Sequence, residues 1–109
     1  MPYDERLAER VDLLLSVQDG VTARKMFGGL AFMLNGNMSV GIHQDRLMVR
    51  VGPEGYEDAL ERPHCKPMDI TGRPMKGWVM VDAEGVADDA ELDAWVQLGV
   101  EFASSLPDK

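Results

Sequence analysis

Two histidines and one cysteine are the side chains of this 109-residue chain best suited to nucleophilic or metal chemistry. His64 and Cys65 are adjacent in RPHCKPMDITGRPMKG, residues 62–77, between Pro63 and Pro67. A thiol nucleophile needs a base within hydrogen-bond reach and a further group to orient that base. Successive side chains of an extended segment point to opposite sides, so His64 is poorly placed to activate its neighbour. A half-buried structural thiol is the expectation for Cys65. A metal would have to recruit His43, His64, Cys65 and a carboxylate from scattered positions, without paired ligand spacing. Arg24-Lys25 ahead of Gly28-Gly29 sets cations beside permissive backbone, but no helix follows to aim amides at an anion. No phosphate-binding glycine motif, serine elbow or zinc signature occurs. A small-molecule or enzymatic site on the 62–77 loop, using His43, His64, Cys65, Arg73 and Lys76, is one reading. No cofactor is implied.

The elements that would position any site centre on Met26 to Val51, MFGGLAFMLNGNMSVGIHQDRLMVRV. It reads as three antiparallel strands. Asn35-Gly36 signals a two-residue type I′ hairpin turn, which needs positive φ at both positions. That turn pairs Leu34 with Asn37, Met33 with Met38, Phe32 with Ser39, Ala31 with Val40 and Leu30 with Gly41. A second turn at Gln44-Asp45 pairs His43 with Arg46, Ile42 with Leu47, Val40 with Val49 and Met38 with Val51. Alternation across the sheet then gives a core face of Ala31, Met33, Met38, Val40, Ile42, Leu47, Val49 and Val51. The opposite face carries Leu30, Phe32, Leu34 and Met48 among Asn37, Ser39, Gly41, His43, Arg46 and Arg50. Its apolar residues with a polar rim make Leu30, Phe32, Leu34, Ser39, His43, Arg46, Met48 and Arg50 a candidate partner-binding face. A segment of the same chain, or a second copy in a homodimer, could cover it instead.

The net charge of −8 is unevenly spread. Residues 1–23 hold two Arg against five acids, residues 24–76 eight Lys/Arg against six acids, and residues 77–109 only Lys109 against eight acids. An acidic chain repels phosphate backbones, so direct nucleic-acid binding is not expected. No apolar run approaches the roughly 20 residues of a membrane helix. The charged start MPYDERLAERVD lacks a signal-peptide apolar region, and a single cysteine cannot form an internal disulfide. A cytoplasmic location is the expectation.

A first helix is predicted from about Asp4 to Val17, with Leu7, Val11, Leu14 and Leu15 as one stripe that Leu13 and Val17 widen. Thr22 to Phe27 reads as an extended lead-in. Gly52-Pro53 heads a short helix over Glu54 to Glu61. Met68 to Ile70 reads as a brief strand, Thr71 to Pro74 as a turn, and Trp78 to Val81 as a buried strand. The last helix follows Asp88, with Glu91 completing a capping-box-like pair, and its apolar positions run from Leu92 through Trp95, Val96, Gly99, Phe102 and Ala103 to Leu106, before Pro107. The eight methionines suit an adaptable core or partner surface. Length and composition fit a single domain spanning 1–109.

Three stretches together carry a family resemblance: RKMFGGLAFMLNGNMSVGI from Arg24, RLMVRVGPE from Arg46 and TGRPMKGWVMV from Thr71. In this order they resemble the N-terminal domain of the TfoX/Sxy family, known from bacterial regulators of competence for DNA uptake. The resemblance implies an α+β fold, a two-layer α/β sandwich with an antiparallel sheet in the order α-β-β-β-α-β-β-α. It also implies a non-enzymatic regulatory role through a protein partner, a DNA-bound transcription factor such as the cyclic-AMP receptor protein, or RNA polymerase. Full-length competence regulators carry a further C-terminal helical domain, which the resemblance here does not include. The family brings no catalytic residues to carry over.

Overall fold

The computed structural model describes residues 3–26, 28–68 and 75–107. Asp4 caps the first helix, α1 (Glu5–Leu15), its carboxylate accepting from the amides of Arg6 at 2.9 Å and Leu7 at 3.2 Å. This satisfies donors that the first helical turn leaves unpaired. Leu7, Ala8, Val11 and Leu15 are buried, while Leu13 and Val17 are 73% and 90% exposed. At 100° per residue Leu13 lies across the helix from Val11, so it does not widen the stripe.

Four strands follow: β1 (Val21–Met26), β2 (Gly29–Leu34), β3 (Asn37–His43) and β4 (Arg46–Arg50). Then come α2 (Gly52–Leu60), β5 (Cys65–Pro67), β6 (Trp78–Val81), a short 3-10 turn (Ala83–Val86) and α3 (Asp89–Ser104). The sheet is antiparallel in the order β1-β2-β3-β4-β6-β5. The α+β class and the antiparallel sheet agree with the sequence reading, with one strand more before α2 than expected. That strand, β1, lies at the sheet edge with Thr22 to Lys25 exposed, so it lacks the apolar alternation that would mark it. The strand expected at Met68 to Ile70 begins earlier, at Cys65, and residues 69–74, with the expected Thr71 to Pro74 turn, lie outside the described residues. Asp88 does occupy the N-cap of α3, but its side chain makes no capping hydrogen bond.

Both tight turns stand where the sequence puts them. Asn35 and Gly36 take φ of 51° and 86°, and His43 pairs with Arg46 across the second reversal. The register between β2 and β3 is a correction. Leu34 pairs with Asn37 and Met33 with Met38 as expected, but beyond them Phe32 meets Val40, Ala31 meets Gly41 and Leu30 meets Ile42. Ser39 is an extra residue in β3, a β-bulge, and its hydroxyl donates to the Phe32 carbonyl at 2.9 Å. One inserted residue exchanges the faces beyond it.

Leu30, Phe32 and Leu34 therefore join Val40, Ile42, Leu47 and Val49 under the helices, where Trp95, Val96 and Leu92 of α3 and Val11 of α1 pack on them. Phe32 is 1% exposed. Ala31, Met33 and Met38, expected in the main core, lie on the opposite face with Met48. The expected Met38–Val51 pair is absent, because β4 ends at Arg50. Above the bulge, α3 comes so close that a Cβ at Gly99 would lie 2.5 Å from the Ser39 carbonyl oxygen, a space only glycine leaves open.

Phe32→Ala should lower stability by about 3–5 kcal/mol out of a total of about 5–15. Urea unfolding followed by circular dichroism measures this; a loss below about 1 kcal/mol would return Phe32 to an exposed face.

Candidate interaction surface

The residues of the sequence-predicted loop site do not converge. Cys65, in β5, sits opposite Val81 and faces the helices, packed against the main core. Burial is the main cause that lifts its thiol to about 11, against the opposing Arg62 guanidinium and with a smaller push from Asp82. A thiol so held is protonated at neutral pH and is a poor nucleophile. His64, at φ 64°, is exposed, and its Nδ1 lies 3.8 Å from a Glu84 carboxylate oxygen. His43, in β3, is on the other face and three strand spacings from β5, roughly 14 Å. Lys76 is exposed and Arg73 lies outside the described residues. A cleft of about 570 Å³ does open beside the loop, lined by Arg62, His64, Glu84, Glu91 and Trp95, with the Arg62 guanidinium 4.9 Å over the Trp95 ring. Neither Cys65 nor Lys76 lines it. Among the described residues no group of three or more His, Cys, Asp or Glu could hold a metal.

The sheet face turned away from the helices is organised by sulfur and positive charge. Met38, Met48, Met68 and Met80 with Ala31 form a second apolar cluster, and Met26, Met33, Met75 and Trp78 pack against it. These are seven of the eight methionines. Gly41 leaves the room that the Met38 and Met48 methyl groups fill, each 2.8 Å from where a Cβ would stand. Thioether side chains fill irregular space because they are unbranched and polarizable. Met68 and Met75 are joined by a 3.1 Å backbone hydrogen bond, and with them in place Met48 and Met80 are fully enclosed. Towards β1 the cluster opens: Met26 and Met33 are half-buried, and Thr22 and Arg24 are exposed.

Of the candidate face residues, Met48, His43, Arg46 and Arg50 thus remain on this side, whereas Leu30, Phe32 and Leu34 are structural and Ser39 fastens the bulge. Arg46 reaches His43 Nδ1 at 3.5 Å and Gln44 at 3.3 Å. Arg50 lies 5.2 Å from the Trp78 ring and 5.4 Å from the Phe102 ring, a cation held between aromatic faces at the sheet end. Lys66, on the same face, is paired with Asp82 at 3.0 Å. Among the described residues the six strands contain no Asp or Glu, but Arg24, Lys25, Arg46, Arg50 and Lys66. The three helices hold ten acids against Arg6 and Arg10. Lys25 sits opposite Leu30 on the helix side, and the other four strand cations lie on the face turned away, so helix layer and that sheet face carry opposite charge. That separation was readable from the absence of acids in the strands predicted within Met26 to Val51, and Arg24 from the acid-free lead-in over Thr22 to Phe27.

Residues 12–103 match the family model of the TfoX N-terminal domain. No curated protein and no solved structure matches the chain. Among the described residues no helix is long and apolar enough to cross a membrane.

Cys65 should react with a disulfide reagent at pH 8 far more slowly than a free thiol, its rate climbing until the pH nears 11. Since the folded state holds the proton more tightly than the unfolded chain, whose thiol ionises near 9, Cys65 supports folding below pH 9 and loses that support between 9 and 11. Rapid labelling at pH 7 would contradict the burial of the thiol.

Proposed function

The chain belongs to the TfoX N-terminal domain family, and from that premise we propose that it is a non-enzymatic protein-interaction domain of regulatory type. Its partner is a protein of the transcription apparatus, a DNA-bound transcription factor or RNA polymerase, met in the cytoplasm through the sheet face opposite the helices. The family is not a known enzyme family. The observation that carries the reading is the open edge of the methionine cluster, where half-buried Met26 and Met33 lie beside exposed Arg24 on a described strand layer without acids, in a chain of net charge −8. Methionine surfaces adapt to partners by repacking, and a local positive face on an acidic molecule selects orientation during encounter. The acidic helix layer disfavours direct contact with nucleic acid, so DNA is reached through the partner.

A photoreactive residue placed at Met33 should give crosslinks in cells to a DNA-binding regulator or an RNA polymerase subunit, and Arg24→Glu should reduce them severalfold. The same residue placed at Leu13, exposed on α1, should give none. Crosslinks from Leu13 alone, or none from Met33, would overturn the assignment.

A further inference from the structure

β1 is the edge of the sheet, and the direction of its backbone groups can be derived. In an antiparallel ladder alternate residues turn both N–H and C=O to the same neighbour. The amide of Asn35 donates to the Gly20 carbonyl at 2.9 Å, so Gly20, and with the alternation Thr22, Arg24 and Met26, face β2. The Ser39 hydroxyl bond gives the same answer: it places the Phe32 carbonyl on the β3 side, leaving Met33 and Ala31, the partners of Thr22 and Arg24, to face β1. Val21, Ala23 and Lys25 therefore direct their N–H and C=O outward. Among the described residues no strand lies beyond them. No proline blocks this edge, and Thr22 to Lys25 are exposed.

Both sides of this edge are chemically distinct. On the helix side a notch of about 240 Å³ has Ala8, Ala23, Leu30 and Phe32 among its lining, with the exposed acids Glu9 and Asp12 on the α1 side. On the other side stand Thr22, Arg24 and Met26, on a face whose strands carry no acid. A strand laid against β1 would place one set of alternate side chains over the notch and the other beside Arg24. The notch takes an apolar side chain, and its three acids, Glu5, Glu9 and Asp12, outnumber Lys25 on that side and disfavour a carboxylate. Arg24 draws a carboxylate on the opposite face.

We propose that β1 receives an extended segment of a partner protein as a seventh strand, apolar towards α1 and acidic on the methionine side. Main-chain hydrogen bonds to Val21, Ala23 and Lys25 supply affinity, and the alternation supplies selectivity. The inference rests on the interaction-domain reading above and names the partner's binding element.

The probe is a seven-residue peptide, blocked at both ends, of alternating valine and glutamate, with a valine–lysine peptide as its charge-reversed control. The valine–glutamate peptide should slow amide exchange at Val21, Ala23 and Lys25, and the control should not. Ala23→Pro removes an outward donor while leaving the β1–β2 ladder intact, and prolines are tolerated at such edge positions. It should weaken binding about tenfold with the thermal midpoint unchanged. If that variant does not fold, Arg24→Glu, an exposed substitution, should shift preference to the lysine peptide. Unprotected edge amides, equal binding by Ala23→Pro, or indifference to peptide charge would overturn the proposal. So would a dimer in light scattering that Ala23→Pro dissolves, which would make a second copy the occupant. Failure here with the Met33 crosslinks intact overturns strand addition alone, and loss of those crosslinks with edge protection intact overturns only the transcriptional reading.

Discussion

Ser39 has no partner across the β2–β3 ladder, and its hydroxyl is spent instead on the Phe32 carbonyl. A buried hydroxyl without a partner would cost about 1–3 kcal/mol, so this bond is what lets the extra residue sit in the middle of a sheet. The consequence runs through the whole molecule. With the bulge, Leu30, Phe32 and Leu34 form one layer with Val40, Ile42, Leu47 and Val49, and the helices have a continuous apolar floor. Without it, half of β2 would turn its large side chains away from α1 and α3.

The same insertion makes the second face what it is. Small and thioether side chains, Ala31, Met33 and Met38, are sent there in place of Leu and Phe, beside Met48 and Met80. The acids stay on the helices, where solvent reaches them and where those in the first turns suit the helix dipole. Arg10 ties the two acidic helices together, donating to the Ala87 carbonyl at 3.2 Å and to Asp89 at 3.0 Å. A two-layer fold with one layer negative and the other free of acids has an orientation in any electrostatic encounter, despite its uniform-looking total charge.

Much of this was legible in the chain. Asn35-Gly36 and Gln44-Asp45 place both reversals because turn chemistry is local, and the periodicity of α1 and α3 finds their buried stripes. The bulge was not legible: a serine in β3 carries no mark that distinguishes an inserted residue from a paired one. One signal did point to the true faces, since Leu30, Phe32 and Leu34 are the bulkiest alternating set in β2 and belong under helices. β1 reads only as an extended lead-in over Thr22 to Phe27, because an exposed edge strand has no apolar rhythm to read. The loop site did not assemble among the described residues, because His43 and Cys65 lie three strand spacings apart and on opposite faces, a matter of strand order and parity that composition does not record.

Where α3 crosses the bulge, the main chain of Gly99 rests on the Ser39 carbonyl, with Cγ1 of Val40 beside it. Elsewhere between the layers a small shift of a strand can be absorbed by rotation of a leucine or methionine. At this crossing a backbone carbonyl and a branched Val40, stiff about its first torsion, meet the helix backbone, and close-packed interiors transmit strain. The helix and the middle of the sheet are therefore mechanically one piece, and a tilt imposed on the strands at that point is carried to the far surface of α3 as motion of the rod itself.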